Sequence, residues 1–340
     1  MKSLVVGGTG FLGGAIAEAA LEAGHDVTVL SRGRAQRALS QELRMLQGDR
    51  FGDLKVLAGE RFDLVFDTCG YTPDAVEQLL QVVGSKLKRY IFISSISVYC
   101  DYSKPHLSET DPVPTATNAD FDVARTVSIE QRASAASYGR SYGPLKRACE
   151  IVAQDRLGDR AILLRAGLLV GKGDYTDRLT WWVRRIDQGG RIPVPASEDS
   201  RFQMIDVRDA AAFTIRAAVE ERSGPYNLTC PTIQLSTLFN EIIEISGATA
   251  ELIWVSERKL QEANIQPWTE LPLILPPGET TRYLFEVSTE KAHRHGLVCR
   301  PVAETVQDLL EWDRPNRTRP LICGISRDQE RALLSQDSKS

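Results

Sequence analysis

A tyrosine and a lysine four residues apart stand in the stretch YGRSYGPLKRACE, residues 138–150. On a helix, residues i and i+4 share one face, so Tyr142 and Lys146 can point into one site. An unperturbed tyrosine has a pKa of about 10, and a neighbouring ammonium lowers that pKa by favouring the phenolate. Such a tyrosine can give or take a proton at a carbonyl oxygen during hydride transfer. The spacing alone is weak evidence, because many helices contain it by chance.

The residues around this pair predict where its helix begins. Pro144 disfavours the α conformation at Gly143 and lacks an N–H, so we expect the helix to start or kink here. Tyr142 then lies near a helix N-terminus, whose dipole also favours the phenolate. Tyr138 lies on the same face but has no cation four residues on, so we assign it to packing or to the pocket wall.

A serine at the end of a predicted strand is the second candidate catalytic group. In the stretch FISSISVY, Ser95 stands where a substrate oxygen could be hydrogen-bonded and oriented toward Tyr142. Ser94, Ser95 and Ser97 could equally satisfy backbone groups at the strand end, and for any one serine alone that is the simpler interpretation.

A glycine pattern near the N-terminus predicts a site for the phosphates of a dinucleotide. VVGGTGFLGGAIAEA places Gly7, Gly10 and Gly13 between a predicted strand and a predicted helix. The first glycine permits a tight turn, the second lets backbone approach the pyrophosphate, and the third lets the helix pack on the sheet. Free N–H groups at the helix N-terminus attract the phosphates. The predicted cofactor site includes Phe11 and Leu12, which lie between the last two glycines.

The end of the second predicted strand indicates which dinucleotide is bound. The stretch VLSRGR places Ser31, Arg32 and Arg34 where the adenosine ribose is expected, with no carboxylate to accept from a free 2′-hydroxyl. Arginine suits a 2′-phosphate, so we predict NADP(H) in preference to NAD(H). Asp49 ends the third predicted strand and could accept a hydrogen bond from the adenine amino group, although an ordinary turn aspartate is nearly as good an explanation.

The order of predicted elements gives the fold that must position these groups. Short apolar strands alternate with helical segments, which predicts an α/β fold with a Rossmann-type, doubly wound parallel sheet. We expect the cofactor-binding domain at residues 1–170, with strands continuing through about 165–230. Residues 171–200 and 230–320 are expected to form a smaller α/β substrate lobe, and 321–340 a C-terminal tail.

Composition excludes several classes of function. A hydrophobic content of 42% and a charged content of 25% are ordinary for a soluble globular protein. The net charge is −4 and the sequence has no basic block, so we expect no nucleic-acid partner. The N-terminus resembles neither a signal peptide nor a membrane span, so we expect a cytoplasmic protein with no membrane partner. The six cysteines form no C-x-x-C pair, which predicts reduced thiols and no metal site.

Taken together, the motifs resemble those of the extended short-chain dehydrogenase/reductase family, which includes the NAD-dependent epimerase/dehydratase group. The resemblance rests on GGTGFLG, SRGR, GDR, SSISVY, YGPLKRACE, LLRAGLLVG and IDVRDAA. It implies that Ser95, Tyr142 and Lys146 form a catalytic triad and that Lys146 also binds the nicotinamide ribose. It further implies that DTCGYTP, including Cys69, lines the cofactor. A homodimer is common in the family.

Departures from the family pattern narrow the chemistry. Dehydratases of the family carry an Asp-Glu pair after the serine position, where this chain has Ile96 and Ser97, so a dehydratase is disfavoured. Sugar-nucleotide epimerases carry an arginine directly ahead of the strand that here reads IDV. This chain has Phe202 there and Arg201 one place earlier, which weakens the expectation of a sugar-nucleotide diphosphate.

The substrate side of the site is less well defined by the sequence. Residues 100–137 are predicted to be loop, and the part from 115 to 137 is either an insertion that caps the substrate pocket or a surface loop. Candidate substrate-binding residues are Ser97, Tyr99, Arg178 and Trp181. Core packing for the tryptophan and a carboxylate partner for the arginine are about equally good explanations.

Three functions therefore remain as hypotheses. The first is an NADP-dependent oxidoreductase that reduces a carbonyl or imine of a small secondary metabolite, with Tyr142 as the acid. The second is an epimerase of a sugar or sugar-like substrate that keeps its nicotinamide cofactor. The third is a non-catalytic cofactor-binding or RNA-associated protein, because SRG and FISSISVY resemble segments of chloroplast stem-loop-binding relatives; the acidic chain counts against it.

Overall fold

We describe the fold from a computed structural model, which covers residues 1–335 except 34–38, 85, 86, 195, 196, 198, 276 and 277. The strands are β1 (Lys2–Val6), β2 (Asp26–Ser31), β3 (Arg44–Gln47), β4 (Leu64–Asp67), β5 (Arg89–Ser95), β6 (Ala161–Ala166), β7 (Leu169–Val170), β8 (Gly190–Val194), β9 (Arg201–Phe202), β10 (Ile205–Asp206), β11 (Gly224–Leu228), β12 (Ile233–Gln234) and β13 (Ala250–Trp254). The α-helices are α1 (Phe11–Glu22), α2 (Pro73–Val83), α3 (Asn118–Thr126), α4 (Tyr142–Leu157), α5 (Arg178–Asp187), α6 (Val207–Val219), α7 (Leu235–Ser246), α8 (Glu257–Glu262), α9 (Glu290–Arg294), α10 (Val302–Asp313) and α11 (Arg327–Ser335).

Seven parallel strands form the central sheet in the order β11-β6-β5-β4-β1-β2-β3. The chain leaves β1 toward β2 and β3, and then crosses back to place β4 on the other side of β1. That reversal opens a crevice at the carboxyl ends of β1 and β4, where ligands of doubly wound sheets bind. The predicted Rossmann-type, doubly wound α/β fold is confirmed.

Helices cover both faces of this sheet, and its strands are therefore apolar on both sides. Val5 and Phe66 belong to the core under α1 and α6, whereas the neighbouring Leu4 and Val65 belong to the core under α2 and α4. Successive strand residues point to opposite faces, so a strand buried on both faces reads as a continuous apolar run. This burial fixes the strand ends that carry the site.

The second lobe has its own apolar core, built around α5, α7 and α10. Trp182 is fully buried there and packs against Phe239 with ring centroids 4.6 Å apart. The expectation of a tail from residue 321 is wrong for the part that is described. Ile325 and Leu333 are buried in this core, because α11 places an apolar side chain against the lobe.

Two further expectations are corrected by the structure. Cys230 and Cys299 form a disulfide with a Cα–Cα distance of 5.9 Å, so not all of the cysteines are free thiols. Within the predicted loop 100–137, α3 forms an exposed helix that begins with a capping box between Thr117 and Asp120. That reciprocal cap satisfies two backbone donors and stabilises a short helix that buries no side chain.

Among the described residues, no helix is both long enough and apolar enough to cross a membrane. The same residues contain no cluster of three or more side chains suited to holding a metal ion.

Candidate active site

A cleft of about 470 Å³ runs along the carboxyl edge of the central sheet. It brings together the glycine pattern of β1, the end of β2, and the candidate catalytic residues of β5 and α4. The cleft is lined by Gly7, Gly10, Phe11, Leu12, Gly13, Ser31, Arg32, Asp49, Cys69, Ser95, Tyr142, Lys146 and Arg178 among the residues singled out from the sequence.

The glycines form a tight turn and a close helix start, here called the glycine cradle, that side chains would block. Gly7 has a φ of +82° and donates its N–H to the Leu30 carbonyl oxygen at 2.9 Å, which makes the tight turn after β1. A Cβ at Gly13 would lie 2.3 Å from the Gly7 carbonyl oxygen, so α1 reaches the turn only because this residue is glycine. The start of α1 therefore lines the cleft, and free N–H groups at a helix N-terminus attract phosphates.

The far end of the cleft lies at β2 and β3. Ser31, Arg32 and Asp49 all line it, and Nη1 of Arg32 is buried without a hydrogen-bond partner among the described residues. An unpaired buried guanidinium nitrogen is expensive unless an anion meets it, so this end of the cleft fits an anionic ligand group. Arg34, also predicted to contact the cofactor, lies outside the described residues.

A buried polar network beneath this end was missed in the sequence. Asp67, at the end of β4, accepts hydrogen bonds from Arg50 and, at 2.6 Å, from the Tyr90 hydroxyl. Arg50 also donates to the Ala75 carbonyl oxygen at 2.6 Å and lines the cleft. The guanidinium therefore ties β3, β4 and α2 together under the cofactor cleft. The GDR stretch was the only local signal for it.

Cys69 lies directly against the cradle. Its Sγ is 2.9 Å from where a Gly7 Cβ would stand, and it lines the cleft as expected. Burial raises the pKa of the Cys69 thiol to about 11, so the side chain is a neutral wall rather than a thiolate nucleophile.

Tyr142 and Ser95 meet at the nicotinamide end of the predicted site. Tyr142 is the first residue of α4, as the position of Pro144 predicts, because a proline in the first helical turn removes no helical hydrogen bond. Burial raises the pKa of Tyr142 to about 12, and a hydrogen bond with the Ser95 side chain partly opposes that rise. Ser95 Oγ also accepts from the Ser97 N–H at 3.1 Å, which fixes the serine at the strand end.

Lys146 is buried, and the hydrogen-bond partners of its ammonium are backbone carbonyls. Its Nζ donates to the carbonyl oxygens of Gly70 at 2.8 Å and Ile93 at 2.5 Å, and lies 4.1 Å from the Phe92 ring centroid. Burial lowers the pKa of Lys146 to about 8. Burial raises the pKa of Tyr142, so the expected lowering of that pKa by this ammonium is not found. An ammonium has three N–H donors, so a third can still reach into the cleft.

A close backbone contact sets the position of Tyr142. The neighbouring Gly143 packs on the 3-10 turn that follows β5, residues Ile96–Tyr99. A Cβ at Gly143 would lie 2.0 Å from the Ser97 carbonyl oxygen. Only a glycine allows α4 to start so near the strand end that carries Ser95.

Aromatic residues form the wall beside the tyrosine. Tyr71 lines the cleft and stacks on Tyr138 with centroids 5.7 Å apart, and Tyr138 itself is buried, as the packing assignment predicts. Residues of the 115–137 segment complete this wall: Phe121 packs against the cluster and Ala133 lines the cleft. The segment therefore borders the pocket instead of standing apart as a surface loop.

Of the candidate substrate-binding residues, Arg178 lies in the cleft and Trp181 does not. Arg178 lines the cleft, together with Tyr175, which the sequence did not indicate. Trp181 is a core residue that packs edge-on against Trp182, so its predicted substrate contact is corrected.

Two other predicted substrate contacts point elsewhere. Tyr99 is buried outside the cleft, where its hydroxyl donates to Asn227 Oδ1 at 2.8 Å and accepts from Arg165 at 3.1 Å. Its role is to satisfy a buried arginine that also pairs with Glu150. Ser97 contacts the site through its hydroxyl, 3.0 Å from Ser95 Oγ, and does not line the cleft.

Comparison with known proteins identifies the family. The model of the NAD dependent epimerase/dehydratase family matches residues 3–229, which include the glycine cradle, Ser95, Tyr142 and Lys146. The chain belongs to this family. Members of this family are nicotinamide-dependent enzymes, and the resemblance drawn from the sequence motifs is confirmed.

Individual relatives are more distant. A chloroplast stem-loop binding protein of 41 kDa from Arabidopsis thaliana is 27% identical over 240 residues, which span 66% of this chain and 56% of that protein. Two solved structures share the fold. The Bordetella bronchiseptica enzyme WbmF, in complex with NAD+, has a TM-score of 0.62 at 17% identity and covers 99% of this chain and 97% of its own. UDP-N-acetylglucosamine 4-epimerase from Bacillus cereus has a TM-score of 0.60 at 18% identity, and the match covers 92% of this chain and 99% of that chain.

Proposed function

We propose that the protein is an NADP-dependent oxidoreductase that reduces a carbonyl or imine of a small metabolite. The observation that carries this proposal is one continuous cleft with a glycine cradle in its middle. An arginine nitrogen without a partner among the described residues lies at one end, and Ser95 and Tyr142 line the other. These are the sites that a 2′-phosphate, a pyrophosphate and a reacting carbonyl need.

The residues present fit a nicotinamide dinucleotide. Gly7 and Gly13 border the cleft where a pyrophosphate would lie. Arg32 supplies a charged donor at the end of β2, where the sequence has no carboxylate to accept from a 2′-hydroxyl. The third N–H of Lys146 is available to a ribose hydroxyl. When bound, the cofactor would supply the hydride, and the protein would hold the cofactor in position against the substrate.

The protonation of Tyr142 favours reduction. With a pKa of about 12, the phenol is protonated at neutral pH and is ready to give a proton to a developing alkoxide. Ser95 donates to the same oxygen and orients it, which also stabilises the charge that develops on it. A group that must first take a proton from a substrate alcohol would instead need a lowered pKa.

The second candidate is an epimerase that keeps its cofactor, and the family match together with the name of the Bacillus cereus neighbour favours it. Such an enzyme oxidises and then re-reduces one carbon, so Tyr142 must act as base and as acid in turn. The stoichiometry of the cofactor separates the two functions.

The test is to supply the purified protein with NADPH and a panel of small aldehydes, ketones and cyclic imines. The proposal predicts one NADPH oxidised for each product formed, with NADH used much more slowly. An isomerised product with no net change in NADPH absorbance would establish the epimerase instead. Product formation that proceeds equally well with NADH would contradict the NADP assignment.

A further inference from the structure

Arg178 lines the cleft and forms no ion pair with any anion among the residues that the structure describes. It lies at the first position of α5 and lines the same cleft as Ser95 and Tyr142. No hydrogen bond or ion pair joins its guanidinium to another described residue. Other arginines of this lobe differ: Arg184 pairs with Asp313 at 2.6 Å, and Arg185 with Glu330 at 2.6 Å.

The one carboxylate that lines the cleft near Arg178 is already satisfied. Asp174 is buried, and its oxygens accept from the Thr176 N–H at 2.8 Å and from the Thr176 hydroxyl at 2.7 and 2.8 Å. Arg178 forms no ion pair with it within 4.0 Å. The Arg178 charge acts on the pKa of Asp174 only from beyond ion-pair distance, so the N–H donors of the guanidinium are not engaged by this carboxylate.

An aromatic column holds Arg178 in place. Its guanidinium carbon lies 4.6 Å from the Trp268 ring centroid, and Trp268 stacks on Phe285, which packs on Phe202. Trp268 has a φ of +69°, an uncommon conformation for a bulky side chain, and its N–H donates to the Leu271 carbonyl oxygen at 3.0 Å. Strained residues of this kind concentrate at ligand clamps.

The column also explains the departure from the family pattern. Phe202 stands where sugar-nucleotide epimerases of the family carry an arginine, and it is buried as the base of the column. Arg201, one place earlier, does not line the cleft; its side chain is 61% exposed and lies 3.8 Å from Glu286. The arginine next to the family's position thus does not reach the cleft, whereas Arg178 lines it and has no ion-pair partner among the described residues.

We propose that Arg178, stacked on Trp268, binds an anionic group of the substrate, a carboxylate or a phosphate monoester, and so orients the reacting carbonyl toward Tyr142. This deepens the proposed function and rests on it for the reaction. Arginine recognises both groups through paired N–H donors, and stacking leaves those edge donors free. A substrate with an anion close to its carbonyl follows, in place of a sugar nucleotide gripped through its diphosphate.

The test measures binding and needs no turnover. Benzoate, phenyl phosphate and neutral benzamide are titrated into the NADP+-loaded protein and followed by ligand-observed NMR. We expect at least one anion to bind about tenfold or more tightly than benzamide. Arg178→Met and Arg178→Gln should lose that preference, whereas Arg201→Met, the matched control one place before the family's position, should keep it. Preference for benzoate or for phenyl phosphate distinguishes the two kinds of anion.

Either of two results would overturn the proposal: the wild-type protein binds both anions no better than benzamide, or both folded Arg178 variants retain the anion preference. Circular dichroism and NADP+ affinity establish that each variant is folded. NADPH oxidation with para-carboxybenzaldehyde and with benzaldehyde is measured separately. Reduction of both aldehydes at equal efficiency would support the oxidoreductase and refute the role of Arg178. Binding of the anions without reduction of either aldehyde would support the role of Arg178 and count against the oxidoreductase.

Discussion

Gly143→Ala should separate Tyr142 from Ser95 by adding a single methyl group. The new Cβ would lie 2.0 Å from the Ser97 carbonyl oxygen and 2.8 Å from its carbonyl carbon. Ordinary carbon–oxygen contacts in proteins are about 3.3 Å or longer, so the start of α4 must withdraw by roughly 1 Å. The new Cβ is fixed to the backbone of α4 and meets backbone atoms of Ser97, so no change of side-chain rotamer can relieve the clash.

The magnitude follows from that displacement. A misplacement of about 1 Å in a catalytic group can lower turnover on the order of 100-fold, or roughly 2.7 kcal/mol of activation free energy. Overpacking should also lower the free energy of unfolding by about 1–3 kcal/mol. NADP+ affinity should change little, because the glycine cradle lies on β1 and α1.

The assay compares kcat for NADPH oxidation, NADP+ affinity and urea unfolding in Gly143→Ala and in Gly52→Ala. Gly52 is the matched control, since an added Cβ there meets no atom closer than 3.6 Å. Wild-type turnover in a folded Gly143→Ala protein would refute the reasoning, because it would show that the distance between Tyr142 and Ser95 is not set by this contact.

Three further predictions address the cofactor, the buried lysine and the disulfide. Arg32→Gln should weaken NADP+ binding about tenfold or more while NAD+ binding changes less than about threefold, measured by fluorescence titration; equal losses would contradict a 2′-phosphate contact. The folded pKa of Lys146 is about 8, below its ordinary 10.5, so between these pH values the unfolded state binds more protons and stability rises with pH. Wild type should therefore gain up to roughly 3 kcal/mol relative to Lys146→Met between pH 7.5 and about 10.5 in urea titrations, and a constant difference would refute the shift. Cys230→Ser opens a loop of 69 residues and should lower the free energy of unfolding by about 2–4 kcal/mol in non-reducing buffer; an unchanged urea midpoint would show that the bond does not form.

Local patterns predicted much of the fold and part of the site. The cradle at Gly7 and Gly13 depends on a turn and a helix start within a few residues, and the start of α4 at Tyr142 follows from Pro144. Such features are set by backbone sterics close in the chain, which a single sequence carries. The parallel, doubly wound sheet followed because alternating strands and helices leave few topologies open.

Long-range contacts set the parts that were missed or corrected. The role of Tyr99 depends on Asn227, 128 residues away, and the column under Arg178 brings Phe202 against Phe285. The carbonyl partners of Lys146 come from two different strand ends. No periodicity or spacing in the sequence encodes such long-range contacts. The pKa of a buried group, and whether a side chain lies in the core or in the cleft, can therefore be read only from the folded structure.

The most direct test of the central claim is a single-turnover comparison of wild type with Tyr142→Phe, both loaded with NADPH and mixed with a carbonyl that the wild type reduces. The variant keeps the ring that packs beside Tyr71 and lacks only the proton donor. The account predicts unchanged NADPH affinity and a hydride-transfer rate lowered by about 10²–10⁴-fold. A variant that oxidises NADPH at the wild-type rate would contradict the assignment of Tyr142 as the acid.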